Sequence, residues 1–137
     1  MPDATPPLVA ELVWSGQLRF DATAGANSIV VDGDGTAGPS PMQMLAFGVA
    51  GCMAADVVSI LGKGRHPLTG MRMTLTATRA PEHPRRFTHL VIDFQATGLV
   101  PQDAMDRAVT LSRDKYCSAL NSLREDVTLD IRVRIEP

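Results

Sequence analysis

The chain has 137 residues, 45% of them apolar and 20% charged, proportions that suit one globular domain spanning residues 1–137. Its formal net charge of −2 and isoelectric point near 5.8 offer no attraction for nucleic acid or for an anionic membrane surface. The longest wholly apolar run, Met44 to Ala55, has 12 residues, whereas a membrane span needs about 20. We therefore expect neither a nucleic-acid partner nor a membrane partner.

The N-terminal stretch from Met1 to Pro7 has neither the basic region nor the apolar region of a secretory signal peptide. The chain has only two cysteines, too few for the disulfide framework of a small exported protein. We therefore predict a cytoplasmic protein whose thiols are reduced at rest.

The first third of the chain predicts short β-strands. Apolar side chains alternate over Leu8–Trp14 and again over Leu18–Ala22, and the turn signal Ser15–Gly16 between them predicts a β-hairpin. Ser28–Val31 is a third short strand, and the glycine-rich segment Asp32–Gly38 after it is a loop.

The clearest helix start in the sequence follows this loop. Ser40 is a good N-cap, Pro41 suits the first helical position, and Gln43 completes a capping box three residues after the cap. From Met42 to Gly62 the helix has few polar side chains. A helix that is apolar all round must be enclosed by protein.

The glycines of this helix suggest what encloses it. Gly48 and Gly51 lower helix stability, so their presence indicates the close approach of another backbone. One chain of this size cannot readily wrap the whole helix, and we therefore infer a homodimer that buries it.

The second half of the chain predicts two long strands, a helix and a final strand. Apolar residues alternate over Met71–Thr78, over Leu90–Ala96 and, most regularly, over Val127–Ile135. A helix is expected from Pro101 to Lys115, with a short turn or helix over Cys117–Leu123. The fold class is α+β, with antiparallel sheet packed on two helices.

The two cysteines have different surroundings. Cys52 lies in the most apolar segment and Cys117 follows a charged turn, 117 − 52 = 65 residues later, so they form neither a redox CxxC motif nor a metal knuckle. They can act together only if the fold joins them. By itself, Cys52 is either a small buried apolar residue or a nucleophile, and no local cation would activate it.

The neighbours of each thiol lead to two further expectations. Asp56 is a charge on an apolar helix and should pair with an arginine or lysine. Arg113 and Lys115 lie close to Cys117 in sequence and would favour its thiolate, which makes it either a redox cysteine or an incidental, partly exposed one.

Metal and cofactor motifs are not apparent in the sequence. His66, His83 and His89 have no metal-ligand spacing, so we expect no zinc site. There is also no P-loop and no dinucleotide-binding fingerprint, so we expect no cofactor.

Two segments carry a family resemblance. Gly38–Leu61, with Cys52, resembles the first-cysteine helix of the OsmC/Ohr family of osmotically inducible and organic hydroperoxide resistance proteins, and Ala108–Leu120, with Cys117, resembles its second-cysteine segment. The resemblance implies an intertwined homodimer in which antiparallel sheets pack around two long central helices, with active sites at the subunit interface. It also implies a stress-response, antioxidant role.

The same resemblance implies a chemistry. Cys52 would be the peroxidatic thiol that attacks an organic hydroperoxide, and Cys117 would resolve the sulfenic acid as a disulfide. A dithiol reductant of the lipoyl type would restore the pair.

The chain departs from the peroxidases of that family at the activating groups. Those enzymes carry a glutamate just after the proline that opens the helix, where Pro41 is followed here by Met42 and Gln43. They also use an arginine from an early loop, and the corresponding stretch Thr23–Ser28 has none. The departures indicate an OsmC-like branch. They leave two alternatives to a peroxidase, namely a non-catalytic dimeric module that binds a small apolar ligand and a thiol redox sensor.

Overall fold

A computed structural model describes residues 5–137, so the expectation about the N-terminal stretch lies partly outside the described residues. The chain divides into two compact units, up to Leu45 and from Ala46 to Pro137. The expectation of a single domain stays a prediction.

The first unit contains an antiparallel sheet of three consecutive strands, β1 (Glu11–Gly16), β2 (Arg19–Ala24) and β3 (Asn27–Asp32). The predicted hairpin is confirmed, but its turn is not at Ser15–Gly16. The strand runs on through Gly16, whose φ of 116° allows a bulge, and Gln17 turns the chain with a φ of 52°. Trp14 Nε1 donates to the Gln17 carbonyl at 2.9 Å and holds this turn. The glycine therefore marks the bulge.

The loop after β3 is organised by a buried carboxylate. Asp32 accepts hydrogen bonds from the backbone N–H groups of Asp34 and Ala37, both at 2.9 Å, and from the Thr36 hydroxyl at 3.0 Å. These bonds, that from Ala37 first, lower the pKa of the Asp32 carboxyl. The loop thus reaches the first helix in a fixed conformation.

The first helix, α1 (Pro41–Lys63), begins where the sequence predicts it. The capping box is present because the Gln43 N–H donates to Ser40 Oγ at 3.2 Å and the Ser40 N–H donates to Gln43 Oε1 at 2.9 Å. These two bonds satisfy backbone donors that the first turn leaves free.

The second unit contains a sheet of three strands in the order β4-β5-β6, namely β4 (Leu68–Arg79), β5 (Phe87–Gly98) and β6 (Thr128–Glu136). β4 and β5 are antiparallel, as predicted, with Met73 opposite Phe94. The expectation that the last strand is also antiparallel is wrong, since β5 and β6 pair in parallel, with Ile92 opposite Ile131. The crossover through residues 99–127 returns the chain to the end of the sheet at which β5 began, and this direction requires parallel pairing.

The crossover contains the second helix, α2 (Gln102–Leu111), which is shorter than predicted. Residues Ser112–Tyr116 form a π turn instead of continuing the α-helix, and a short 3₁₀ turn follows at Leu120–Ser122. Among residues 5–137, α1 is the only long helix, so two long central helices would require a second subunit.

One face of α1 contributes to the core of the second unit. Val49, Met53, Val57 and Leu61 recur every four residues, and each side chain is at most 1% exposed. The other buried apolar side chains of the unit come mainly from β5 and α2.

The opposite face of α1 is uncovered in a single chain. Phe47 is 63% exposed and Val58 is 48% exposed. Within residues 5–137, no atom outside the helix's own local backbone lies within 4 Å of a Cβ placed on Gly48 or Gly51. One chain therefore does not enclose the helix as its composition requires. α1 is also long and apolar enough to cross a membrane, which is weak evidence because core helices pass the same test.

Candidate active site

The helix α1 supplies two of the four side chains that form the candidate site. Cys52 and Asp56 are one turn apart on α1, so their side chains lie on the same face. They flank the buried row that includes Met53 and Val57, and each is partly buried. The packing of this row fixes the orientation of the helix and so positions both side chains.

The π turn after α2 supplies the other two side chains. The Cys117 N–H donates to the Ser112 carbonyl at 2.8 Å, a bond between residues five apart that widens the last helical turn. Ser112 and Cys117 are both 0% exposed. A turn of this kind inside a helix is frequent at functional sites.

The four side chains meet in what we call the thiol cluster, defined as Cys52, Asp56, Ser112 and Cys117. The two sulfur atoms and a carboxylate oxygen of Asp56 lie within 4.8 Å of one another. Ser112 Oγ donates a hydrogen bond to Asp56 Oδ2 at 2.9 Å. Both cysteines are free thiols. The fold therefore brings two thiols that are distant in sequence close together.

The partner of Asp56 differs from the predicted one. No arginine, lysine or histidine nitrogen of the described residues lies within 4.0 Å of its carboxylate, so the expected ion pair is not present there. The buried hydroxyl of Ser112 replaces it. A signal for this contact exists in the sequence, because Ser112 continues the buried row of Met105 and Ala108 and a buried hydroxyl needs a partner.

The expectation that the surroundings of Cys117 favour its thiolate is wrong. The pKa of the Cys117 thiol is raised from 9.0 to about 11, and burial is the largest cause. The Leu120 N–H, which donates to its sulfur at 3.3 Å, lowers this pKa in part, whereas Cys52 and the negative charge of Asp56 raise it further. Cys117 is thus a protonated thiol at neutral pH.

This protonation leads to a measurable prediction. In Cys52→Ser, which removes one of the smaller causes of the raised pKa and keeps the burial, the ultraviolet absorbance of the Cys117 thiolate should rise with a midpoint above pH 9.0. Since the unfolded thiol ionises first, near 9.0, the folded protein should lose stability as the pH rises from 9.0 towards 11. Thermal melts over this range should show a loss that Cys117→Ser lacks. A midpoint at or below pH 9 would contradict the assignment.

A cavity of about 500 Å³ opens beside Asp56, the one member of the thiol cluster that lines it. Its walls come from the C-terminal part of α1 and from α2, and they combine apolar side chains such as Ile60 and Leu111 with the cationic or titratable side chains of Lys63, His66 and Arg107. The cavity therefore provides a partly apolar space next to the carboxylate.

Comparison with known proteins identifies the family. The family model described as OsmC-like protein matches residues 32–132, a span that contains the whole thiol cluster. The chain belongs to the OsmC-like family. It is also 42% identical over 123 residues to Protein YhfA of Escherichia coli K12, which covers 88% of this chain and 92% of that protein.

Solved structures of the same fold agree with this assignment. A hypothetical protein from Aquifex aeolicus has a TM-score of 0.90 and 27% identity, covering 96% of this chain and 98% of its own. A Legionella pneumophila protein described as organic hydroperoxide resistance protein OsmC has a TM-score of 0.71 and 17% identity, covering 96% and 99% of the two chains. The α+β fold of the OsmC-like family, expected from the two cysteine segments, is confirmed.

Proposed function

We propose that this OsmC-like protein is a thiol-dependent peroxidase that reduces organic hydroperoxides. The observation that carries the proposal is the thiol cluster, in which two free sulfur atoms lie within 4.8 Å of each other and of Asp56, a residue that lines a cavity. The similarity in fold to a protein described as an organic hydroperoxide resistance protein supports it.

The exposure of the two thiols supports a different role for each. Cys52 is partly exposed, so its sulfur can meet a substrate, and we assign it as the peroxidatic thiol. Cys117 is 0% exposed and protonated at neutral pH, so it is shielded from the peroxide. We assign it as the resolving thiol.

The reaction has three balanced steps. The Cys52 sulfur attacks the terminal peroxide oxygen, the O–O bond breaks, and the thiol becomes a sulfenic acid while an alcohol leaves. The Cys117 sulfur then attacks the sulfenic sulfur, which forms a disulfide and releases water. A dithiol reductant of the lipoyl type supplies two electrons and two protons and is itself oxidised to a disulfide.

Asp56 is placed to move the proton in the first step. Its carboxylate lies within 4.8 Å of the Cys52 sulfur and can accept the thiol proton as that sulfur attacks. The same proton can then pass to the departing alkoxide. The Ser112 hydroxyl, 2.9 Å from Asp56 Oδ2, would hold the carboxylate in this position. Asp56 would thus supply a proton-accepting carboxylate where the family glutamate is missing.

The proposal includes a homodimer and a single domain. The uncovered face of α1, with Phe47 63% exposed, supports a second subunit that packs on it and brings two long helices together. The match of the family model from residue 32 to 132 crosses both compact units and supports one domain. We keep the cytoplasmic location as part of the same proposal.

The proposal is tested by mixing the reduced protein with tert-butyl hydroperoxide and following thiol loss and intact mass. The wild type should lose both thiols for each peroxide consumed, forming an internal disulfide faster than free cysteine oxidises. Cys52→Ser should react no faster than free cysteine. Equal rates for the wild type and Cys52→Ser would rule out the peroxidase.

One observation favours the alternative of a non-catalytic module or a redox sensor. No cation of the described residues pairs with Asp56, and none is among the groups that shift the pKa of the Cys117 thiol, whereas a nearby cation is what usually activates a thiol. A module that binds a small apolar ligand would stay inert to peroxide yet gain thermal stability with that ligand. A sensor would form the disulfide once and would not turn over with dihydrolipoamide.

A further inference from the structure

We propose that the reduced thiol cluster is a binding site for one divalent ion of the zinc class. The ligands are the sulfurs of Cys52 and Cys117 and the carboxylate of Asp56. This inference does not depend on the peroxidase, because it concerns the reduced protein without a peroxide. Histidine spacing did not predict the site, since its ligands are two distant cysteines and an aspartate.

The distances in the cluster suit a tetrahedral ion. A zinc–sulfur bond of about 2.3 Å places two ligating sulfurs roughly 3.8 Å apart. The three candidate ligand atoms already lie within 4.8 Å of one another. A movement of the ligand atoms by about 1 Å, through side-chain rotation, therefore suffices to close the site around an ion.

The groups around the three ligands hold them in place. Ser112 Oγ donates to Asp56 Oδ2 at 2.9 Å, which leaves the other carboxylate oxygen free to bind. The Leu120 N–H donates to the Cys117 sulfur at 3.3 Å, a bond that also stabilises a metal-bound thiolate. Partners of this kind orient the ligands of metal sites and raise their affinity. The helical spacing of Cys52 and Asp56 adds a rigid support.

The chemistry of the ligands selects the ion. Two thiolates with one carboxylate favour zinc or cadmium over magnesium and calcium, which prefer oxygen ligands. Binding would release the two thiol protons to solvent and form two metal–sulfur bonds, with no change of oxidation state. Three protein ligands leave a fourth position for water or another small ligand. Because the ion occupies both sulfurs, its binding and the disulfide exclude each other.

The test is an anaerobic titration of the reduced, metal-free protein with Cd²⁺, followed by thiolate-to-cadmium charge-transfer absorption. The band should saturate at one ion per chain, and Zn²⁺ should displace Cd²⁺. Asp56→Asn should weaken binding at least about tenfold, and each cysteine-to-serine variant should weaken it further. Asp106→Asn, the same change at an exposed position on α2, should bind as the wild type does.

Oxidised wild type, with the disulfide formed, provides a second measurement that needs no substitution. It should not bind Cd²⁺, and reduction should restore binding. The proposal is overturned if the reduced protein shows no saturable band, or if Asp56→Asn binds as tightly as the wild type. Since no hydroperoxide is present, these outcomes are distinct from failure of the peroxidase.

Discussion

Cys117→Ser is expected to consume one equivalent of hydroperoxide per chain and then to stop. The attacking sulfur of Cys52 remains, so its oxidation to sulfenic acid should proceed, but no second thiol lies within reach to form the disulfide. Steady-state reduction of tert-butyl hydroperoxide with dihydrolipoamide should fall at least about a hundredfold. The sulfenic acid should accumulate and be trapped by dimedone as a single adduct on Cys52.

Cys52→Ser supplies the matched comparison, because it removes the sulfur of Cys52 and keeps the sulfur of Cys117. It should consume hydroperoxide no faster than free cysteine does and form no dimedone adduct at residue 52. Cys117→Ala should behave as Cys117→Ser does, which separates loss of the thiol from any effect of burying a hydroxyl. If Cys117→Ser lost the first equivalent and Cys52→Ser kept it, the assigned roles would be reversed.

Local signals in the sequence predict the elements that local contacts determine. The start of α1 depends on Ser40 and Gln43, which bond to each other within one turn, and it is found where predicted. The direction of β6 depends on the path of the chain through residues 99–127. Regular alternation of apolar residues is the same in a parallel and an antiparallel strand, so it could not predict the pairing of Ile131 with Ile92.

Proximity in sequence also does not predict which charges act on a side chain of the site. Arg113 and Lys115 are near Cys117 in sequence, but Arg113 Nε pairs with Asp114 at 2.8 Å and Lys115 lies 5.2 Å from the ring centre of Tyr116. Neither charge offsets the burial of Cys117, whose thiol pKa is raised. The family resemblance predicts that the two cysteines lie close together. The buried row of α2 indicates that Ser112 needs a partner, but no local pattern identifies that partner as Asp56, 56 residues away.

Gly51→Ala is expected to have opposite effects on a single chain and on the proposed dimer. Gly51 is exposed, and within the described residues nothing beyond its own helix backbone lies within 4 Å of an added Cβ, so alanine should stabilise the helix by about 1 kcal/mol. If a partner helix packs closely on this face, the added methyl group should instead cost about 1–3 kcal/mol of packing. That cost raises the dimer dissociation constant by roughly fivefold to 150-fold.

Sedimentation over a dilution series and thermal melts at high and low protein concentration would measure the two effects separately. Thr110→Ala, on the exposed face of α2, also raises helix propensity and should leave the dissociation constant unchanged. A Gly51→Ala protein that gains stability at every concentration, with unchanged association, would contradict close packing of a partner on α1. The uncovered Phe47 and Val58 would then have to be covered by something other than a second copy of this helix.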